Sequence, residues 1–277
     1  MQIHNPVTLP RSVNWPRCRS VEVSGERLVC QLDWGREYDL TQAYRYRPHI
    51  DFLNLKTDDD LSGFVRLRGP LWLHPFSGEP EERKQRYWNF HRALRARLRL
   101  IDAFKSRDKS PLVSAILESV AAEEKHLEFG QESYDGMGGV GFGASLLNLL
   151  HGQGDTPPED WIPRAGLAQL RDVAAFCIGG AFSVGSRLNA AWHDGHPEIG
   201  WKPDVQSLEQ AIEWMFWHDI AGSRPLTFCA DKGCGKAFLP QSEHARKFCS
   251  FNCAHRSAVR EWRHRQRESK RQRGKRP

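Results

Sequence analysis

Apolar residues recur at helical spacing along much of the chain, and glycine and proline punctuate the periodic stretches. Over 57–70, Leu61, Phe64, Val65 and Arg68 share one face. Thr57 or Asp58 can cap the start, and Gly69-Pro70 stop it. Over 81–104 a longer helix carries the apolar stripe Tyr87, Phe90, Leu94, Leu98 and Ile101. Arg83, Lys84, Arg86, Arg92, Arg95, Arg97 and Arg99 occupy much of its remainder. Over 111–129, Pro111 suits a first turn and Gly130 an end, and Glu118, Glu123, Glu124 and Glu128 make the helix acidic. A basic helix followed by an acidic one predicts an antiparallel pair with facing charges. Two further helices are expected at 166–192 and 204–221. Asp204 is the expected cap of the second, which carries Leu208, Ile212, Met215 and Phe216, with Trp214 and Trp217 widening its apolar face.

Strand signals are sparse. Residues 1–50 read as irregular with some strand, and 21–30 as two short β segments around a Ser24-Gly25 turn. The glycine-rich stretch 130–143 and the Pro-containing stretch 152–165 read as loops. The expected fold class is mainly α: a helical N-terminal domain over 1–222 with a small β portion, then a small module over 226–277 beyond a hinge at Arg224-Pro225.

Composition changes this picture in one place. The chain of 277 residues carries a net charge of +6. Residues 254–277 contain ten Lys or Arg against two Glu, so the remainder is slightly acidic. A near-neutral body with a cationic end suits a partner that is a polyanion. No apolar run is long enough to span a membrane, and the N-terminus lacks the pattern of a secretory leader. A reducing cytoplasm is expected, in which the seven cysteines favour metal over disulfides.

Four of those cysteines fall at metal spacing: Cys229-x4-Cys234, fourteen residues, then Cys249-x3-Cys253. Each close pair supplies two corners of a tetrahedron. Four thiolates favour Zn2+ in a closed structural site, with iron–sulfur ligation as the alternative. Gly233 and Gly235 flank Cys234 and let the backbone turn tightly around the ion. Cys249 and Cys253 can both face it from a helix's first turn, which predicts a treble-clef-like arrangement. In the helix that follows, Arg256, Arg260, Arg263 and Arg267 form one cationic line. His255, Val259 and Trp262 lie on the adjoining flank and are expected to pack on the zinc hairpin. Such a helix suits a phosphate backbone or a DNA major groove, with Arg246 and Lys247 assisting from the hairpin. The spacing does not separate DNA from RNA.

Residues 224–265 resemble the CGNR-type zinc finger, which closes bacterial proteins regarded as stress-related transcription regulators with an N-terminal ABATE domain. Cys229 and Cys234 match the family's first cysteine pair, Cys249 and Cys253 its second, and Arg256 the arginine of its name motif. Ala254 and His255 stand where the motif has Gly-Asn. The resemblance implies zinc and a transcription role. Upstream it is faint, confined to Ile50-Asp-Phe-Leu-Asn-Leu and the helix after it.

Three enzyme-like signals carry little. Gly136-Met-Gly-Gly-Val-Gly141 has dinucleotide-loop spacing, but an acidic stretch precedes it where a strand is required. Glu123-x-x-His126 and Glu261-x-x-His264 are halves of a di-iron pattern that needs both in one bundle. His193, His196 and His218 have no partner at ligand or triad spacing. The expected function is thus a cytoplasmic, zinc-dependent DNA-binding transcription regulator without catalysis, its body supplying homodimerisation or signal sensing. A small-molecule pocket near Trp214 and Trp217 is a lesser reading. RNA or ribosome binding is the alternative, and so is a protein-interaction finger joined to an effector domain.

Overall fold

The N-terminal strand signal extends well beyond the two short segments expected. In the computed structural model, strand β1 (Asn14–Ser24) and strand β2 (Arg27–Asp39) form one long antiparallel hairpin. The structure describes residues 14–40, 42–72, 81–105, 108–130, 156–180, 186–193, 196–203, 205, 207–222, 226–240 and 246–273. Gly25, with φ +57°, takes the left-handed turn between Ser24 and Arg27. Trp15, Cys18, Leu28, Cys30 and Tyr38 point into the core. The chain divides into two compact units, Met1–Trp217 and His218–Pro277.

The first unit is mainly helical. A short helix, α1 (Pro48–Leu53), precedes α2 (Asp58–Arg68), which starts as its sequence predicts. Thr57 Oγ1 accepts from the Asp60 amide at 3.1 Å, and Asp60 Oδ2 accepts from the Thr57 amide at 3.1 Å, a complete capping box. Its buried face is Leu61, Phe64, Val65 and Arg68. The helix ends against the hairpin. Trp15 Nε1 donates to the Pro70 carbonyl at 2.9 Å, and the Tyr38 hydroxyl donates to the Arg68 carbonyl at 2.5 Å. Gly69, with φ +86°, makes this approach feasible, because a Cβ there would lie 2.2 Å from the Pro16 carbonyl oxygen.

The helix expected from residue 81 begins three residues later. Glu81–Arg83 is instead strand β3, paired antiparallel with β2, and α3 is Lys84–Phe104. Nothing in Glu-Glu-Arg favours a strand by itself; pairing with the hairpin imposes it. The Glu82 carboxylate turns inward and accepts from the Trp72 amide at 2.8 Å and from the Tyr87 hydroxyl. Helix α4 (Lys109–Gly130) returns antiparallel to α3. The predicted stripe Tyr87, Phe90, Leu94, Leu98 and Ile101 is buried. The facing charges meet as expected: Arg97 pairs with Glu123, and Arg99 with Glu118.

Beyond a short helix, α5 (Pro158–Trp161), lies α6 (Leu167–Gly180). It is shorter than the helix expected over 166–192. Strands β4 (Ser186–His193) and β5 (His196–Pro203) form an antiparallel hairpin, with His193 opposite His196. Asp194-Gly195 joins them, a dipeptide that two-residue hairpin connections favour. Helix α7 (Leu208–Ala221) follows Ser207, whose Oγ accepts from the Gln210 amide at 3.2 Å; Asp204, the expected cap, lies outside the described residues. Among the described residues no helix is long and apolar enough to cross a membrane.

Three helices converge on one buried cation. The Arg97 side chain is 3% exposed. Its Nε and Nη2 reach both oxygens of Glu123 on α4 at 2.6 and 3.0 Å, and its Nη1 reaches Glu213 on α7 at 2.5 Å. Close by, Glu209 of α7 accepts from Trp72 Nε1 and lies 3.6 Å from His126 Nε2. Burial pushes the Glu209 carboxyl up to about 7, against the pull of Arg86 and of the Trp72 hydrogen bond. Burial, then the charge of Arg97, pushes His126 down to about 4.

Two outcomes are expected. Arg97→Leu strands Glu123 without its partner and should destabilise the protein by about 3–5 kcal/mol in urea unfolding; an unchanged midpoint contradicts this. Glu209 is protonated in the folded state and ionised in the unfolded one between pH 4.5 and about 7. Its raised pKa therefore favours folding below 4.5 and loses that contribution as pH rises through 7. Glu209→Gln should gain stability relative to the parent over that interval, by on the order of 3 kcal/mol. A difference that stays flat from pH 4.5 to 7 rules the assignment out.

Candidate metal centre and the helix it starts

The second unit is built around a turn. Strands β6 (Thr227–Phe228) and β7 (Ala237–Phe238) pair antiparallel, Thr227 opposite Phe238. Between them the chain folds into a knuckle. The Cys229 amide donates to the Lys236 carbonyl at 2.8 Å, and the Cys234 amide to the Asp231 carbonyl at 2.8 Å. Gly235 takes φ +61°, a conformation other residues adopt at a cost. The second cysteine pair is brought in by backbone. The Ala230 amide donates to the Lys247 carbonyl at 2.8 Å, and the Cys249 amide lies 3.5 Å from Cys229 Sγ. Helix α8 (Phe251–Arg273) then begins, with Cys253 in its first turn.

This folding gathers all four predicted sulfurs. The Sγ atoms of Cys229, Cys234, Cys249 and Cys253 lie within 4.8 Å of one another. Cys249 Sγ is 3.6 Å from both Cys234 Sγ and Cys253 Sγ. A tetrahedral ion with metal–sulfur bonds near 2.3 Å separates its sulfurs by about 3.8 Å, so the cluster has the dimensions to hold one. Burial, with the neighbouring thiols, pushes Cys249 up to about 12, while the Ser250 hydroxyl helps hold Cys253 down to about 7. Four crowded thiols resist collective ionisation unless a cation offsets the charge.

Residues 226–266 match the family model of the CGNR zinc finger. The match covers the knuckle, both cysteine pairs and the first four turns of α8. A comparison with curated proteins and one with solved structures each find no match for the chain. In the CGNR zinc finger, therefore, the donor set, its spacing and the sulfur distances agree on a metal-binding site, and the family suggests zinc.

The arginines divide into two groups that the sequence does not distinguish. Asp231, in the knuckle, is 1% exposed. Its Oδ2 lies 2.8 Å from Arg256 Nη2 and 3.0 Å from Arg256 Nε; its Oδ1 lies 2.7 Å from Arg260 Nη1. Burial works to raise the Asp231 pKa, but Arg256, the Gly233 amide and Arg260 outweigh it and leave the carboxyl below its ordinary range. Arg256 Nη2 also lies 3.1 Å from Cys253 Sγ. The name-motif arginine thus ties metal ligand, knuckle and helix together. Gly233 leaves room for the Arg260 guanidinium, since a Cβ there would lie 3.1 Å from its Nη2. Arg263 and Arg267 are exposed and form no ion pair with the described residues, and Arg246 and Lys247 are also exposed.

The orientation of α8 differs from expectation. Its knuckle-facing side carries Arg256 and Arg260. His255 is exposed, Val259 is half-buried and Trp262 is 57% exposed, so this flank does not pack as a unit on the hairpin. The attraction of the buried carboxylate for two guanidiniums sets the rotation of the helix, and the apolar flank turns outward. Sequence reasoning misses Asp231; its signal is an aspartate inside a cysteine knuckle that is otherwise basic. Elsewhere, Glu123 is held by Arg97, His126 Nε2 lies 3.6 Å from Glu209, and His264 lies 3.4 Å from Glu268 on its own helix. The 136–141 glycine pattern lies outside the described residues.

Removal of metal by a chelator should raise amide hydrogen exchange across 226–273, because apparent binding energies of about 10–16 kcal/mol are coupled to folding in such modules. Exchange that is indifferent to the chelator contradicts the site. Asp231→Ala should weaken metal affinity about ten- to hundred-fold, as loss of a group that orients metal ligands does; competition with a chromophoric chelator measures it.

Proposed function

We propose that this chain is a zinc-dependent nucleic-acid-binding protein, acting on DNA as a transcription regulator. Zn2+ is held by Cys229, Cys234, Cys249 and Cys253, two from a knuckle and two at a helix start, in a treble-clef-like finger. The ion would close the site and anchor α8; no open position for chemistry is implied by four thiolate ligands. Arg256 and Arg260 set the angle of α8 through Asp231. Arg263 and Arg267, farther along the helix, then meet phosphates, and Arg246 and Lys247, just before Cys249, assist.

One observation supports this reading most. A helix of 23 residues is fixed at its first turn by a metal-binding cysteine, and its later arginines at 263 and 267 are exposed without acidic partners among the described residues. Guanidinium pairs bidentately with phosphate, and a major groove admits an α-helix. The ten cationic side chains of 254–277 add attraction at a distance.

The test is a salt series. Binding of the intact protein to a 30-base-pair duplex, followed by fluorescence anisotropy, should weaken steeply with salt. Arg263→Glu with Arg267→Glu should reduce affinity and flatten the log–log slope by about 0.9 for each phosphate no longer neutralised. A duplex that does not bind, or binds with no salt dependence, defeats the reading. If structured RNA outcompetes duplex at equal salt, the target is RNA.

A further inference from the structure

The outward flank of α8 carries large aromatic side chains in water. Phe251 is 83% exposed and Trp262 57% exposed. The Phe251 and His255 rings stack, their centroids 6.4 Å apart and their planes 15° from parallel. At 100° per residue, Phe251, His255 and Trp262 fall within about 40° of one another around the helix. Arg256, Arg260, Arg263 and Arg267 lie about 100–160° from the centre of that group on the same scale. The helix therefore presents two surfaces side by side, one cationic and one of flat rings.

We propose that this aromatic flank receives unstacked bases, so that the target of α8 includes unpaired nucleotides and not closed duplex alone. The inference rests on the nucleic-acid reading above. Charge selects the occupant: the same helix carries Arg263, Arg265, Arg267 and Lys270, all exposed, against Glu261 and Glu268, and such a net positive surface attracts a polyanion. Among polyanions, a nucleic acid with free base faces also matches exposed rings. Base–aromatic stacking tolerates any sequence, because every base has a π-face, and it recurs beside cationic grooves that follow the backbone. In closed duplex the base faces are occupied by their neighbours. Phe251 and Trp262 lie about 16 Å apart along the helix, so each takes a separate base while the intervening backbone passes the arginines.

The two surfaces can be separated experimentally. The intact zinc-loaded protein is titrated against labelled dT20, U20 and a 20-base-pair duplex at one salt concentration. Phe251→Ala and Trp262→Ala should each weaken dT20 or U20 about five- to hundred-fold, while duplex affinity changes less than two-fold. Trp262→Phe, which keeps an aromatic face, should restore most of the loss. Zinc content near one per chain in each variant checks that the finger is intact. A preference of dT20 over U20, or the reverse, identifies the strand. The inference is overturned if the alanine variants bind single strands as the parent does, or lose single strand and duplex equally. Absence of binding to all three probes by the parent overturns the function proposed above; duplex binding by the parent together with single-strand binding that ignores both aromatics overturns this inference alone.

Discussion

A charge taken out of water has to be met by an opposite one, and each compact unit of this chain is arranged around one such charge. In the first unit it is Arg97, gripped by Glu123 and Glu213 from two other helices. In the second it is Asp231, gripped by Arg256 and Arg260 from one helix. The signs are reversed but the arrangement is shared: one buried group, two partners, and elements that cannot rotate without leaving a bare charge. The four crowded sulfurs pose the same problem more acutely, because no side chain in the cluster can offset several thiolates at once. A divalent cation would.

This constraint explains which parts of the fold are legible in the sequence. Local signals are: the Thr57 cap, the buried stripe of α3, and the cysteine spacing that places four sulfurs together. Each depends on residues within a few turns of one another. Signals that depend on a distant partner are not. Glu81–Arg83 is a strand only because β2 lies beside it. Strand β4 falls largely within the end of a helix expected over 166–192, because Leu188, Ala190, Ala191 and Trp192 also suit helical periodicity. Asp194-Gly195 is the local clue that argues otherwise. The rotation of α8 escapes the sequence for the same reason. Its apolar flank suggests an inward face, whereas electrostatics at Asp231 decides the matter.

The arginine line also shows why counting charges overstates a binding surface. Four guanidiniums at regular spacing look equivalent in the sequence. In the structure the two nearest the cysteines, though about half exposed themselves, are tied to buried Asp231, and the two beyond them form no ion pair with the described residues. The structural arginines lie close to the cysteine cluster, where the knuckle carboxylate can reach them, and Arg263 and Arg267 lie farther along the helix.

Because a single carboxylate serves two guanidiniums, positions 231, 256 and 260 are not independent. An acidic side chain lost at 231 leaves two cations crowding one another over a thiolate site; an arginine lost at 256 leaves a carboxylate half matched. The accessible evolutionary routes through this part of the finger are therefore concerted ones, in which the three positions change together. Substitution at Arg263 or Arg267 meets no such restriction from the fold, because neither forms an ion pair with the described residues.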